Sequence, residues 1–237
     1  MIELTIFPSF FNCRSASPFS MKAELLFRMG NVAYKTIAGS NPAKAPNGKF
    51  PFILDDGQVI ADTHFIYQHI GNKYGVDLDA GLTSQQRAIA TAFTKLAEDH
   101  LYWIMVYSRW MDADFNEAVG EFFNHLPFGI RQLVLKSVKN TVKKAVYHHG
   151  IGRHEKQKIY QFGCDDIDAI AAQLGDGSYF LGDRLASVDA IIYGILAAIA
   201  YPPMDTKIKA RILNHENLST YMKRIENEFD YAPPTHG

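Results

Sequence analysis

In the first third of the chain, the spacing of hydrophobic residues switches between that of a β-strand and that of an α-helix. Residues 2–7 are rich in β-branched and aromatic residues and predict a strand, whereas the apolar residues of 18–29 recur on one face of a helix. Gly30 and Asn31 both tolerate the left-handed conformation that ends a helix, and residues 32–37 return to strand composition. The pattern predicts a strand–helix–strand unit whose connection is right-handed.

A hairpin and a second helix complete this pattern. Residues 50–54 and 58–61 flank Asp55-Asp56-Gly57, in which Asp-Gly is a strong hairpin signal. Asp62 and Thr63 then open a helix that runs through Tyr74. This order of elements is the layout of a thioredoxin-like domain, predicted over residues 1–75 and followed by a linker over 76–83.

The remainder of the chain, residues 84–237, shows helical spacing and no convincing strand. The fold class predicted is therefore α/β plus all-α, with an all-helical second domain. The predicted helices cover residues 84–111, 114–125, 127–149, 154–174, 187–201, 205–213 and 215–228.

Composition and charge exclude several classes of protein. Hydrophobic residues make up 47% of the 237 residues and charged residues 21%, which excludes a disordered or fibrous polymer. Lysine and arginine number 24 against 25 acidic residues. This balance shows no basic patch of the kind that a nucleic acid or an anionic membrane surface requires, so neither is a predicted partner.

The two cysteines and the apolar segments indicate a reducing, aqueous compartment. Cys13 and Cys164 are too few for a disulfide scaffold and lack the neighbours of a zinc site. Glu3 interrupts the N-terminal apolar run early, whereas a signal peptide has an uninterrupted apolar core. The apolar segment 188–200 is too short to span a bilayer. A cytoplasmic protein without a transmembrane segment is predicted.

The start of the first helix permits two interpretations. Ser17 at the N-cap and Pro18 at the first helical position make an ordinary helix start. A helix N-terminus with free amides and a hydroxyl also suits an anion, including a thiolate. In thioredoxin-like domains this place holds Cys-x-x-Cys, but Ser17 and Ser20 occupy both ends, which excludes a dithiol oxidoreductase. Cys13 lacks a resolving partner and is predicted to be a buried or incidental thiol.

Segment 17–34 resembles the tau and omega classes of the cytosolic glutathione transferases, beginning with Ser-Pro-Phe. Lys49-Phe50-Pro51 is similar to the family's Lys-x-Pro segment with its cis proline, and Asp62-Thr63 to its Glu/Asp-Ser pair. In the helical half, segments 101–110, 150–154 and 181–190 resemble the metaxin-like "failed axon connections" branch and its bacterial relatives. The likeness covers nearly the whole chain.

The resemblance implies the glutathione transferase fold, glutathione as co-substrate without a metal, a small-molecule electrophile as partner, and a possible homodimer. It implies that Ser17 stabilises the glutathione thiolate, that Phe50 and Pro51 hold the cysteinyl part, and that Thr63 receives the γ-glutamyl carboxylate. It also implies the alternative of a binding or assembly protein of metaxin type without catalysis.

Other interpretations of these residues stay open. Phe50 and Pro51 are also compatible with the start of an ordinary strand. Asp62 is compatible with a cap of the helix that follows, instead of a contact to the ligand's ammonium. Lys49 pairs with the glycyl carboxylate under the resemblance, or is a solvated loop lysine. Five aromatic residues are candidates for an electrophile pocket between the domains, although an aromatic stripe on a helix is more often core. They are Phe10, Phe11, Tyr102, Tyr107 and Trp110.

One departure from the family pattern concerns a helix cap. The family's helical domain has Ser or Thr three residues before an Asp, but here Ala186 precedes Asp189 and Ser187 stands one place late. The cap geometry is therefore in question, and Asp189 is predicted to be a structural residue.

Overall fold

A four-stranded mixed sheet forms the centre of the N-terminal domain. The computed structural model describes residues 1–112, 120–124 and 126–234. The strands are β1 (Ile2–Ile6), β2 (Tyr34–Ala38), β3 (Phe52–Asp55) and β4 (Gln58–Ala61), in the order β2-β1-β3-β4. β1 runs parallel to β2 and antiparallel to β3, which is antiparallel to β4.

Two helices complete the predicted thioredoxin-like arrangement, which is thereby confirmed. Helix α1 spans Pro18–Met29 and helix α2 spans Thr63–Tyr74, and the two helices contact each other while α2 also contacts β3 and β4. The Asp-Gly hairpin is present, with Asp56 and Gly57 both at positive φ between β3 and β4. At the end of α1 it is Asn31 that takes the left-handed conformation, whereas Gly30 stays right-handed.

Helices make up the C-terminal domain in the part of the chain that the structure describes. The predicted helix over 84–111 is continuous, but a π-helical turn at Leu96–Leu101 separates two α-helical parts. The predicted helix over 114–125 lies mostly outside the described residues. The helices are α3 (Ser84–Lys95), α4 (Tyr102–Met111), α5 (Phe128–His149), α6 (Lys156–Leu174), α7 (Ser187–Ala200), α8 (Lys207–Leu213) and α9 (Glu216–Glu228).

Helix α1 joins the two halves because α7 packs closely against it. A Cβ at Gly194 of α7 would lie 2.8 Å from the carbonyl oxygen of Pro18, which is closer than side-chain carbons normally approach. Nearly all of α1 is buried as a result, including Leu25, Leu26 and Phe27. The first turn of α1 therefore has a fixed position relative to the helical domain.

The linker provides the cap that the N-terminus of α7 lacks in its own sequence. Ala186 at the N-cap has no hydroxyl, and the Asp189 carboxylate accepts a hydrogen bond from its amide at 2.8 Å. The carboxylate of Asp79 accepts from both the amide and the hydroxyl of Ser187, at 2.9 and 2.7 Å. The departure noted in the sequence is thus compensated by a residue 108 positions upstream.

The carboxylate of Asp55, at the end of β3, forms hydrogen bonds and ion pairs with three residues of α2. Its buried carboxylate accepts from His69 at 2.7 Å, from Lys73 at 2.8 Å and from the Tyr74 hydroxyl at 3.0 Å. Burial by itself would raise the pKa of Asp55, but these donors outweigh it and lower the pKa to about 2.

This pKa predicts a pH-dependent stability. The folded-state pKa lies below the unfolded value near 3.9, so the stabilisation, about 2 kcal/mol, is present above pH 4 and is lost as the pH falls toward 2. We expect Asp55→Asn to lower the free energy of unfolding by about this amount at pH 7 and by much less at pH 2. Urea denaturation at a series of pH values measures it, with the exposed Asp56→Asn as the near-neutral control. An equal loss at both ends of the pH range would contradict the assignment.

None of the helices in the described ranges combines the length and the apolar character that crossing a bilayer requires.

Candidate functional site

A single cleft brings together residues from both domains. Its volume is about 920 Å³, and it lies between the ends of β1, α1, β3 and α2 on one side and the segment from α3 to α4 on the other. Seven of the residues predicted from the sequence line it: Ser17, Lys49, Phe50, Pro51, Asp62, Thr63 and Tyr102.

Ser17 stands at the N-cap of α1 and lines this cleft. Its backbone is extended, and its hydroxyl makes no capping hydrogen bond to the first turn. Its amide donates to the Ser15 hydroxyl at 3.3 Å, and its carbonyl accepts from Met21 at 3.1 Å. The backbone is thus held while the hydroxyl remains available to a ligand at the positive end of the helix.

Arg109 fixes the residue that precedes Ser17. Its buried guanidinium donates to the carbonyl oxygens of Ala16 and Ala198, both at 2.7 Å, and lies 4.9 Å above the ring of Phe11. Burial lowers the pKa of Arg109, and no carboxylate pairs with it in the described part of the chain. This side chain of the helical domain therefore ties the loop before α1 to α7.

The Phe50–Pro51 peptide bond is cis, as the resemblance implies. Phe50 is buried, with its ring 5.0 Å from that of Phe7. A Cβ at Gly39 would lie 2.4 Å from the same ring, so only glycine leaves room for Phe50 there. The packing of the Phe50 ring therefore holds in place the backbone around the cis bond, which lines the cleft.

Thr63 and Asp62 form the opposite wall at the start of α2. Thr63 is only 4% exposed, and its hydroxyl has no hydrogen-bond partner among the residues that the structure describes. Asp62 has a φ of 75°, and one of its carboxylate oxygens caps the helix by accepting from the amide of His64 at 2.9 Å. The capping interpretation of Asp62 is therefore correct, and its second oxygen is left for another contact.

The π-helical turn places a charged pair in the cleft that the sequence did not reveal as part of a site. Lys22 of α1 and Glu98 of this turn are 2.7 Å apart across the domain boundary, and both are largely buried. π-Helical turns are frequent at functional sites because they displace side chains from the regular helical face. The turn itself carried no signal in the sequence that distinguishes it from an α-helix.

The five aromatic candidates fall in different places. Tyr102 lines the cleft and packs edge-on to Phe19 at 4.9 Å, and the neighbouring Trp103 lines it as well. Phe7, which was not among the candidates, also lines the cleft. The aromatic lining is thus drawn from a strand end as well as from α4.

Four of the candidates do not line this cleft: Phe10, Phe11, Tyr107 and Trp110. Phe10 contacts Phe11 and Phe122, and Phe11 lies beneath Arg109. Tyr107 and Trp110 follow Tyr102 by five and eight residues along α4, so the helical rotation turns them to other faces. Both pack against the core.

Cys13 is a buried thiol that does not reach the cleft. Burial raises its pKa to about 11, against the opposing effect of Arg109, so it is a neutral thiol at physiological pH. Its sulfur donates to the carbonyl oxygens of Phe11 and Ala197. Cys13 therefore packs the loop before α1 against α7.

Comparison with protein families matches both halves of the chain. The model for the glutathione S-transferase N-terminal domain matches residues 18–115, and the model for the glutathione S-transferase C-terminal domain matches residues 163–225.

Three curated proteins show the range of relatives. The isoprene-epoxide–glutathione S-transferase of Rhodococcus sp. (strain AD45) is 33% identical over 196 residues, which cover 78% of this chain and 80% of the relative. Failed axon connections of Drosophila melanogaster is 28% identical, over 90% of this chain but only 54% of its own length. Metaxin-2 of Homo sapiens is 24% identical, over 89% of this chain and 81% of its own length.

Solved structures share the fold. A beta-etherase from Sphingobium sp. strain SYK-6 superposes with a TM-score of 0.67 at 12% identity, over 97% of this chain and 98% of that one. At this identity the likeness concerns the fold alone.

Proposed function

Because this chain belongs to the glutathione S-transferase family, we propose that it joins the sulfur of glutathione to a small apolar electrophile. One observation carries the proposal: the Ser17 hydroxyl at the start of α1, the cis Pro51 segment, the Thr63 hydroxyl and the Tyr102 ring all border one cleft. An extended peptide with a thiol in its middle fits the order of these groups.

Each end of the tripeptide has a complementary group in the cleft. Thr63 offers a hydroxyl and a helix-terminal amide to the γ-glutamyl carboxylate, and the uncapped oxygen of Asp62 suits the adjacent ammonium. Phe50 and Pro51 present backbone groups to the cysteinyl part, and Lys49 is exposed at the rim for the glycyl carboxylate. In this proposed binding mode the sulfur lies next to Ser17.

Ser17 acts on the ionisation of that sulfur. A free thiol with a pKa near 8.5 is only about 3% thiolate at pH 7. The hydrogen bond from Ser17 and the positive end of α1 stabilise the thiolate, and the thiol proton goes to solvent. Full ionisation gains at most about thirtyfold in reactive species, so the rest of the rate enhancement comes from holding the electrophile close to the sulfur.

An epoxide of a small alkene is the electrophile class to test first, since the Rhodococcus relative is named for one. The sulfur lone pair forms a carbon–sulfur bond while the carbon–oxygen bond of the ring breaks, and the resulting alkoxide takes a proton from water. Phe7, Tyr102 and Trp103 provide the aromatic surface against which a small apolar molecule can lie.

Titration calorimetry with glutathione, followed by turnover with an alkene epoxide, tests the proposal. We expect binding in the millimolar range or tighter, and loss of free thiol that depends on both the protein and the epoxide. Absence of binding at millimolar glutathione would contradict the proposal and favour the alternative of a non-catalytic binding or assembly protein.

Thr63→Val tests the γ-glutamyl contact. Valine has nearly the same shape but lacks the hydroxyl, so one hydrogen bond to a charged group is lost from a buried position. We expect KM for glutathione to rise about tenfold with kcat nearly unchanged, because the contact is equally strong in the ground and transition states. Thr63→Ser retains the hydroxyl and serves as the control. A fall in kcat with KM unchanged would contradict this role.

A further inference from the structure

Helix α5 (Phe128–His149) carries the largest net positive charge among the helices and strands that the structure describes. Its 22 residues include Arg131, Lys136, Lys139, Lys143 and Lys144 and no aspartate or glutamate. The rest of the chain therefore holds 19 basic and 25 acidic residues. The near-neutral charge of the whole sequence hides this separation of charge. The expectation from the sequence that no basic patch exists therefore does not hold for α5.

Only one side of α5 packs against the protein. It contacts α4 and the turn at Ile151–Arg153, and Val146 is its one buried residue. Residues half-buried on this side recur at helical spacing, as at Val134, Val138 and Val142. The opposite side faces solvent along the whole helix, which is about 33 Å long.

The solvent-facing side combines lysines with large apolar side chains. Leu133, Lys136, Lys143, Lys144 and Tyr147 are all exposed and lie on one stripe of the helix, because their spacings follow the helical repeat. Leu133 is 71% exposed.

The first turn of α5 adds further exposed apolar side chains. Phe128 is 72% exposed, and Ile130 is 53% exposed. Together with Leu133 they concentrate large apolar groups at the N-terminal end of α5, next to the lysines of the stripe. Exposed groups of this size grouped on one element indicate an interaction surface rather than a solvated one.

We propose that the exposed side of α5 binds the surface of an anionic lipid bilayer. A helix with lysines and large apolar groups on one exposed surface lies in the plane of the interface, with its apolar side chains among the acyl chains and its ammonium groups at the phosphates. A nucleic acid would bind through contacts between its phosphates and the lysines. Such a partner does not explain why the apolar side chains of Leu133 and Ile130 are exposed beside them. An acidic protein partner is the remaining competitor and is an arm of the test.

Flotation with vesicles tests this proposal, which is independent of the proposed reaction. The full chain is mixed with vesicles of phosphatidylcholine containing phosphatidylserine, and in parallel with vesicles of phosphatidylcholine alone. We expect binding to the anionic vesicles only, weakened by added salt. Lys136→Gln, Lys143→Gln and Lys144→Gln combined are expected to lower the partition coefficient about a hundredfold, and Leu133→Ser about tenfold.

The matched control replaces three exposed lysines elsewhere, Lys35, Lys158 and Lys223, by glutamine. It should bind the anionic vesicles as the unmodified chain does, and circular dichroism checks that every variant is folded. Absence of binding to anionic vesicles, equal binding to both vesicle types, or equal loss in the control would each overturn the proposal. Binding to polyglutamate or DNA without binding to vesicles would overturn it in favour of another partner.

Discussion

Replacing Ser17 by alanine is expected to reduce the thiolate fraction of bound glutathione at pH 7 by up to about thirtyfold, which is the full range between complete ionisation and a free thiol with a pKa near 8.5. The helix N-terminus, which the substitution leaves in place, retains part of the stabilisation. The hydroxyl lies at the N-cap of α1, is not used for capping, and borders the cleft. Without it, the sulfur loses the donor that holds it at the helix N-terminus. The thiol pKa then returns toward its ordinary value.

The pH dependence identifies this mechanism. Because Ser17→Ala raises the thiol pKa, the loss is largest near pH 7 and fades as the pH rises through 8.5, where a free thiol ionises without help. Ultraviolet absorbance of the thiolate in the complex measures the fraction, and kcat/KM follows it with a smaller loss, because a thiolate of higher pKa is intrinsically more nucleophilic.

Two variants control for the loss of a hydroxyl as such. Ser17→Thr retains the donor and should restore most of the thiolate, whereas Thr94→Ala removes a hydroxyl from another part of the cleft lining and should leave the thiol pKa unchanged. A Ser17→Ala complex with an unchanged thiolate absorbance at pH 7 would rule out this role for Ser17, even if glutathione still binds.

Asp189→Ala is expected to lower the free energy of unfolding by roughly 3–5 kcal/mol. The carboxylate is fully buried and accepts from the amides of Phe180 and Ala186, at 2.9 and 2.8 Å, and from the Tyr221 hydroxyl at 3.0 Å. Burial raises its pKa to about 6, against the opposing effect of these donors. Alanine leaves the two amides buried without a partner, and each unsatisfied donor costs about 1–3 kcal/mol. The Tyr221 hydroxyl keeps the backbone carbonyl of residue 189, at 3.2 Å, as its acceptor.

Urea denaturation at pH 7 measures this loss. Asp183→Ala, an exposed aspartate six residues upstream, is the control and should change the stability by less than about 0.5 kcal/mol. A loss below about 1 kcal/mol in Asp189→Ala would mean that water or a rearranged side chain satisfies the amides of Phe180 and Ala186. Asp189 would then not be the structural residue that the sequence and the hydrogen bonds indicate.

Much of the fold could be predicted because its elements are signalled locally. Pro18 and the apolar spacing after it mark α1, whose observed bounds agree with the prediction, and Asp56-Gly57 marks the hairpin. The helices of the second half begin and end within about two residues of their predicted limits in the described part of the chain. These signals act over one to four residues and need no partner from elsewhere.

The candidate site was predictable to a smaller extent. Ser17, Pro51 and Thr63 stand in short motifs at recognisable places, and the structure brings all three to one cleft. The aromatic lining was not predictable in the same way, because whether Tyr102 or Tyr107 faces the cleft depends on the rotation of α4 against the other domain. The π-helical turn before α4 changes that rotation.

By itself, the sequence determined which segments are strands and helices, the order in which they follow, and the helix starts and the proline-containing loop that border the cleft. Only the tertiary structure decided how those segments meet: the Lys22–Glu98 pair, the hold of Arg109 on Ala16, and the cap that Asp79 provides for Ser187 join residues 76, 93 and 108 positions apart. The physical reason is range. Backbone preferences and helical spacing are local, whereas the burial of a charge or a hydroxyl depends on which distant segment packs over it.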